Sequence, residues 1–138
     1  MELNTIGLVS AIASFLSIWW GHVAVRKIEA KTVTLWLPMT AAFTLGMISE
    51  FIAAWTENIQ LSAAFGIMGV VFLWDSFEFY RQQKRIKKGH APANPDNPRH
   101  ARILENYPAA TILDLLNRDP RGDKYSEDEI KAIQEGGK

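Results

Sequence analysis

Three long apolar runs constrain this chain more strongly than any other feature of its 138 residues. They cover residues 5–25, 33–55 and 61–80, and the first contains no Asp, Glu, Lys or Arg. A helix needs about 20 mostly apolar residues to cross a hydrocarbon core about 30 Å thick. A soluble bundle of three buried helices is the alternative, but such helices keep a polar stripe that the first run lacks. The pattern therefore predicts an all-α integral membrane protein with three transmembrane helices.

The first run is predicted to be a retained span and not a cleaved signal peptide. Signal peptides begin with positive charge and have a shorter apolar core. This chain begins Met-Glu and has no Lys or Arg before Arg26. We therefore count this run as the first of the three spans.

The basic residues predict how the chain threads through the membrane, because Lys and Arg accumulate in short cytoplasmic loops. The connection between the second and third runs contains Glu57 and no base, whereas the preceding connection and the segment after the third run are basic. Their bases are Arg26, Lys27 and Lys31 in the first connection, and Arg81, Lys84, Arg85, Lys87 and Lys88 after the third run. We expect the N-terminus outside and the C-terminus in the cytoplasm.

Four of these bases are predicted to bind lipid headgroups: Lys84, Arg85, Lys87 and Lys88. A Lys or Arg beside an anionic leaflet contributes about 1 kcal/mol to membrane attraction. Nucleic acid is not an expected partner, because no aromatic stacking platform or known binding motif accompanies these bases. The formal net charge of the whole chain is also zero.

The stretch LSAAFGIMGVVFLWDSFEFYRQQKRIKKGHAPANP resembles the C-terminal half of a family of small bacterial integral membrane proteins of unknown function. The positions that match the family pattern are Leu61, Ser62, Ala63, Gly66, Gly69, Leu73, Trp74, Gln83, Arg85, Lys88, Gly89, Asn94 and Pro95. The first span and its exit, GHVAVRKIE, are similar too, so the resemblance extends over roughly residues 5–95. It implies three spans in the bacterial cytoplasmic membrane and no activity. The longer tail is a departure from the family, so the resemblance implies nothing about it.

Small residues recur at helical spacing in two of the spans. Ala13, Ser17 and Gly21 are four apart in the first, and Ser62 and Gly66 are four apart in the third, with Gly69 close by. Small side chains let helix backbones approach closely, which favours association in lipid. One interpretation is that spans one and three pack together within a monomer. The other is that these faces dock another subunit.

Three ionisable residues inside the spans are functional candidates, because such residues are costly in a membrane. They are His22, Glu50 and Asp75. His22 and Asp75 are predicted at similar depth and are expected to pair, with Arg26 as the alternative partner of Asp75. Simple interfacial hydrogen bonding is the other interpretation. A haem is the cofactor to consider, but bis-histidine ligation needs a second histidine in a span, and His90 and His100 lie in the polar segment.

The sequence divides into a transmembrane region with its basic exit, residues 1–88, a proline-rich linker, 89–100, and a cytoplasmic helical tail, 101–138. Three prolines in APANPDNP predict an extended linker without regular structure. The tail is predicted to form two short helices, one with Pro108 in its first turn and one beginning near Ser126. Neither is long enough to be stable alone, so their apolar residues are expected to dock on a partner: Ile112, Leu115, Leu116 and Ile130.

Together these features predict a non-enzymatic accessory, scaffold or anchor subunit of a larger membrane complex, without a resident cofactor. The chain has no cysteine, so disulfides, thiolate metal sites and cysteine catalysis are excluded. The rival hypothesis is a small haem-binding, quinone-binding or proton-conducting protein that uses His22, Asp75 and Glu50. A homo-oligomer assembled through the small-residue faces is a third possibility.

Overall fold

The computed structural model describes residues 3–114 and 127–135, which form five helices. The long helices are α1 (Thr5–Lys31), α2 (Trp36–Trp55) and α3 (Ile59–Lys87), and the short ones are α4 (Pro98–Asn106) and α5 (Glu127–Glu135). All three long helices have the length and apolar composition to cross a membrane. The predicted all-helical fold with three such helices is confirmed.

The central helix of the bundle is α3. Both α1 and α2 pack along it, whereas contacts between α1 and α2 are sparse. The Gln60 side chain near the start of α3 donates to Thr5 Oγ1 at the start of α1, so these two helices run in parallel. Ser62 Oγ donates to the carbonyl of Ala53 and Ser76 Oγ to that of Met39, which places α2 antiparallel to α3. The ends of α1 and α3 therefore share one end of the bundle.

The spans bury little of themselves against one another. At most 22% of the residues in the most apolar window of any long helix are buried. Large apolar side chains consequently cover the outside of the bundle, among them Phe15, Trp19, Phe43 and Phe51, each more than half exposed. A surface of this kind suits a hydrocarbon solvent, in which apolar side chains face lipid.

Glycine 89 ends α3 and turns the chain back towards the bundle. Its φ of 71° is a left-handed conformation that glycine adopts without steric cost. The Gly89 amide donates to Ile86 O, and the His90 amide donates to Arg85 O. This is a Schellman motif, which satisfies the last carbonyls of a helix.

Residues 89–114, which we call the end cap, pack against the bundle end instead of extending away from it. Ala91, Ala93, Ile103 and Ala110 are buried with Ile86 of α3 in a small apolar cluster. Residues 89–97 contain no helix or strand, as predicted for the linker 89–100, but α4 begins inside that range, at Pro98. Proline is tolerated at the first helical position, where its missing N–H has no intrahelical partner.

The first predicted tail helix is wrong over its described part. Residues 107–114 form turns and irregular structure, and α4 ends at Asn106 before them. The residue before a proline disfavours the helical region, and Tyr107, before Pro108, is extended. The Ala93 amide also donates to Thr111 O, which holds this segment against the start of the end cap. The second predicted helix is present as α5.

Candidate functional site

Glu29, in the last turns of α1, is the centre of a buried polar network. Its side chain is 1% exposed and accepts from two residues of α4. Arg99 Nη1 lies 2.8 Å from Glu29 Oε1, and His100 Nε2 lies 3.3 Å from the same oxygen. His100 is fully buried and the Arg99 side chain is 10% exposed. Three ionisable side chains from two distant segments thus meet out of contact with solvent.

The backbone determines which nitrogen of His100 carries the proton. The amide of Asn94 donates to His100 Nδ1 over 2.9 Å, so this nitrogen is an acceptor. Nε2 then carries the hydrogen and donates it to Glu29, as expected for a neutral imidazole. The positive charge that compensates the Glu29 carboxylate therefore comes from Arg99. A buried carboxylate needs such a partner, because unpaired buried charge is strongly destabilising.

The same segment also satisfies the carbonyls at the end of α1. Arg99 Nη2 donates to Glu29 O over 2.7 Å, and Arg99 Nε donates to Thr32 O over 3.1 Å. The last carbonyls of a helix have no intrahelical donors, and a cation is favourable at this end of the helix dipole. The Arg99 guanidinium supplies both donors and charge at one place.

Two asparagines complete this contact. Asn94 Nδ2 and Asn97 Nδ2 each donate to Ala30 O over 3.0 Å, and Asn97 Nδ2 also reaches Thr32 O at 3.1 Å. The oxygen of the Asn97 side chain accepts from the Arg99 amide over 2.9 Å and caps α4. Asn97 therefore joins two helix ends, the end of α1 and the beginning of α4. We call Glu29, Asn94, Asn97, Arg99 and His100 the clamp.

A cleft of about 490 Å³ opens beside the clamp, and Glu29, His22, Arg26 and Gln82 are among its lining residues. Arg26 Nη2 lies 3.4 Å from Asp114 Oδ2, so an ion pair joins α1 to the far end of the end cap. Within the described residues, Glu29 Oε2 is buried and has no hydrogen-bond partner.

The basic exit of α3 forms a second cleft, of about 460 Å³. Its lining residues are Phe77, Tyr80, Arg81, Lys84, Arg85, Lys88 and His90. Glu78 is 6% exposed and lies behind this cleft. Its carboxylate lies 2.6 Å from Arg85 Nη2 and 3.6 Å from Arg81 Nε. Lys87 does not line this cleft, and its Nζ lies 4.8 Å from the ring centre of Tyr107.

A family model described as a domain of unknown function, DUF4491, matches residues 4–97. The match covers more than half of the chain. The chain belongs to the DUF4491 family. No curated protein and no solved structure matches it.

The DUF4491 region contains all three long helices and most of the clamp. Glu29, Asn94 and Asn97 lie inside it, whereas Arg99 and His100 follow directly after its last matched residue. The residues that carry the resemblance, roughly 5–95, fall within this match to a family of unknown function. The polar contact between α1 and α4 joins the family domain to the segment that follows it.

The small residues predicted for helix packing lie at two different interfaces in the DUF4491 domain. Gly21 of α1 faces α3, because a Cβ added there would lie 2.6 Å from Asp75 Oδ2. Ala13 and Ser17 of the same helix are half-buried. Gly69 faces α2, because an added Cβ would lie 2.5 Å from Glu50 Oε1. Ser62 Oγ donates to the carbonyl of Ala53 in α2, and a Cβ added at Gly66 would lie 3.8 Å from the Ala53 Cβ.

The polar residues inside the spans pack on these glycines. Asp75 lies against Gly21, the residue that precedes His22 in α1, and the expected pairing of Asp75 with His22 stays a prediction. His22 itself is exposed and lines the cleft beside the clamp. Glu50 lies against Gly69, and its Oε1 is buried without a hydrogen-bond partner among the described residues.

His22 is the histidine of the spans, and its exposed side chain is the one that a cofactor could reach. Both ring nitrogens of His100 are already bonded to Asn94 and Glu29, and His90 lines the basic cleft. Within residues 3–114 and 127–135, no group of three His, Asp or Glu side chains could hold a metal ion.

The apolar residues predicted to dock the tail are only partly described. Ile112 is 58% exposed in the end cap, and Ile130 is 41% exposed on α5. Leu115 and Leu116 lie outside the described residues.

The sequence reasoning missed the clamp, although one signal for it was present. Asn97-Pro98 has the pattern of a helix N-cap followed by proline at the first helical position, although the three prolines of APANPDNP together predict a linker. Glu29 lies in the polar patch RKIEAK and carries no local sign of burial. Its partners lie 70 and 71 positions away.

Proposed function

We propose that this protein is a non-enzymatic accessory or anchor subunit of a larger complex in the bacterial cytoplasmic membrane. Its N-terminus lies outside, and its end cap and tail lie in the cytoplasm. The shared location of both basic clusters at the capped end of the bundle supports this orientation, because basic residues favour the cytoplasmic side.

The clamp is the observation that carries the proposal. Through Glu29 and the carbonyls of α1, the end cap is fastened to the spans by buried hydrogen bonds and one ion pair. Hydrogen bonds in a buried polar network rigidify a contact, and Glu29 Oε2 is the one buried polar side-chain atom of the clamp without a partner among the described residues. A tail held in this way keeps a fixed position relative to the membrane, which is the property that an anchor requires.

The bundle surface supports lateral packing against other membrane helices. The small-residue faces already serve contacts between α3 and its two neighbours, so a partner would meet the large apolar side chains outside. Exposed aromatic residues such as Phe15 and Phe51 offer the wide contact area that dominates interface energies. In the tail, Ile112, Leu115, Leu116 and Ile130 are the proposed docking residues.

The buried polar side chains of α4 are used for structural bonds, which favours a non-enzymatic role. Arg99 and His100 bond to Glu29, and Arg99 also bonds to helix carbonyls, so these groups are occupied in joining elements. A general acid or base has to reach a substrate proton directly or through one water. Neither of the two α4 side chains of the clamp is exposed enough to do so.

The second candidate is proton transfer or cofactor binding within the spans, and Glu50 is the observation that favours it. A buried carboxylate oxygen without a partner is costly and marks a functional position by default in a membrane. A Soret band in the purified protein that His22→Ala abolishes would support haem binding. Proton flux into liposomes that Glu50→Gln abolishes would support conduction.

The accessory role is tested by site-specific photocrosslinking in living cells at native expression level. A crosslinking amino acid at Ile112 or Ile130 is expected to capture one membrane protein in stoichiometric yield. Glu105, exposed on α4, provides the matched control position and is expected to remain uncrosslinked. Capture of a second, differently tagged copy alone would identify a homo-oligomer instead. Equal diffuse labelling from all three positions would overturn the proposal.

A further inference from the structure

One face of α3 changes from apolar to basic where the helix leaves the bundle. Val70, Trp74 and Phe77 are 62%, 55% and 50% exposed, and they follow one another at spacings of four and three. Arg81, Lys84 and Lys88 continue the same face at spacings of four, three and four. Residues three and four apart are neighbours on a helix surface. The face therefore presents an apolar stripe that leads directly into the basic cleft.

The basic cleft is a formed concavity and not only a run of charge along the chain. Buried Glu78 bonds to Arg85 and contacts Arg81 from behind, which orients both guanidinium groups. The turn at Gly89 brings His90 back against the helix end, where it lines the cleft together with Lys84 and Lys88. Four basic side chains around one carboxylate leave a local excess of positive charge.

We propose that this cleft binds the phosphate-bearing headgroup of an anionic phospholipid, with an acyl chain along Val70, Trp74 and Phe77. Arg81, Lys84, Arg85 and Lys88 would hold the phosphate oxygens through charge-assisted hydrogen bonds, which are among the strongest that proteins form. Tyr80 lies at the boundary between the two parts, where aromatic rings favour headgroup level. This inference requires only a membrane location and does not depend on the accessory role.

The apolar stripe is what selects a lipid over a soluble phosphate. A free phosphate would use the four bases and leave Trp74 and Phe77 without a role, whereas a phospholipid carries both chemistries in one molecule. The Arg81 guanidinium lies 5.8 Å from the Trp74 ring centre, so a direct contact joins the apolar and basic parts. Lys87 is excluded from the cleft and lies over Tyr107.

The test uses the purified full chain, stripped of lipid in detergent and titrated with phosphatidylglycerol or phosphatidylcholine of identical acyl chains. Native mass spectrometry counts the bound lipids. We expect one phosphatidylglycerol molecule to bind each chain, with higher affinity than phosphatidylcholine. Lys84→Gln with Lys88→Gln should weaken that binding on the order of 25-fold, from about 1 kcal/mol for each Lys. Lys84→Arg with Lys88→Arg should restore it, which separates lost charge from misfolding.

The charge-matched control is Lys31→Gln with Lys87→Gln. This pair removes the same net charge from the same end of the bundle but leaves the basic cleft intact, so the lipid preference should persist. Equal loss in both double variants would show a diffuse basic belt and overturn the proposal. Displacement of phosphatidylglycerol by inorganic phosphate at constant ionic strength would also overturn it, in favour of a soluble ligand.

Discussion

Arg99 and Glu29 lie 70 positions apart and form a buried ion pair with a 2.8 Å separation between Nη1 and Oε1. The same guanidinium donates to two carbonyls at the end of α1. A single side chain of the end cap thus neutralises a buried carboxylate and satisfies two carbonyls at the end of a long apolar helix. Because both tasks depend on Arg99, its removal should be much more damaging than removal of an exposed arginine.

Arg99→Ala is expected to lower the free energy of unfolding by about 3–5 kcal/mol, the cost of leaving one partner of a buried ion pair unpaired. Arg102→Ala provides the control in the same helix, because Arg102 is exposed and reaches only the Pro98 carbonyl at 3.4 Å. Its effect should stay within about 0.5 kcal/mol. Unfolding in mixed micelles of mild and denaturing detergent measures both. Similar losses for the two variants would contradict the assigned role of Arg99.

The uncompensated Glu29 charge accounts for most of that loss, so Glu29→Gln should be less harmful in the Arg99→Ala background than in the native chain. Residues in one ion-pair network show coupling energies of about 0.5–3 kcal/mol in double-mutant cycles. The same unfolding measurement on the native chain, the two single variants and the double variant gives this coupling energy. Strictly additive effects would mean that the two residues stabilise the end cap independently.

Asn97→Asp separates the two roles of Asn97. Aspartate caps a helix N-terminus as well as asparagine does, so α4 would keep its cap. The carboxylate has no N–H to donate to the carbonyls of Ala30 and Thr32, which Asn97 Nδ2 reaches at 3.0 and 3.1 Å. Each carbonyl keeps its other donor, Asn94 Nδ2 at Ala30 O and Arg99 Nε at Thr32 O, so the unsatisfied group is the new carboxylate oxygen itself. We expect a loss of about 1–3 kcal/mol, the cost of a buried polar group without a partner. Asn106→Asp, at the exposed end of α4, provides the control. A neutral Asn97→Asp would show that capping α4 is its main role.

The three long helices were predictable because lipid imposes a signal that each segment carries alone. A span must satisfy its own backbone and expose apolar side chains, so residues 61–80 were recognisable within the longer α3. The clamp carries no such local signal. Glu29 resembles any exposed helix-end acid until Arg99 is placed beside it, and Asn94 and Asn97 resemble turn residues. Their role depends on the Schellman turn at Gly89, which returns the chain to the end of α1.

The pairing of the spans was only partly predictable for the same reason. Small residues marked Gly21 and Gly69 as contact positions, and one interpretation packed the first and third spans together through them. Gly21 does face α3. In the structure Gly69 faces α2, and α2 contributes a glycine of its own, Gly46, which was not among the predicted contact positions although Ala42 precedes it by four residues. Its partner is Leu73 of α3.

Gly46→Ala is expected to destabilise the contact between α2 and α3. An added Cβ would lie 2.7 Å from Leu73 Cγ and 3.0 Å from the Leu73 backbone nitrogen, so relief requires the helices to separate. Overpacking of this kind costs about 1–3 kcal/mol. Gly66→Ala makes the same chemical change on α3, where the added Cβ meets only the Ala53 Cβ at 3.8 Å. That variant should unfold like the native chain. A larger loss at Gly66 than at Gly46 would contradict this packing.

The proposed orientation is open to a direct test because the chain has no cysteine. Glu57→Cys places a single thiol in the connection between α2 and α3, and Glu105→Cys places one on the exposed side of α4. Both substitutions replace an exposed glutamate, so the variants differ only in location. A membrane-impermeant maleimide added to intact cells should label the first and leave the second unlabelled until the membrane is opened. The reverse pattern would put the end cap outside and remove the cytoplasmic tail from the proposed function. The clamp would keep its geometry in either case, because its hydrogen bonds depend only on how the end cap meets α1.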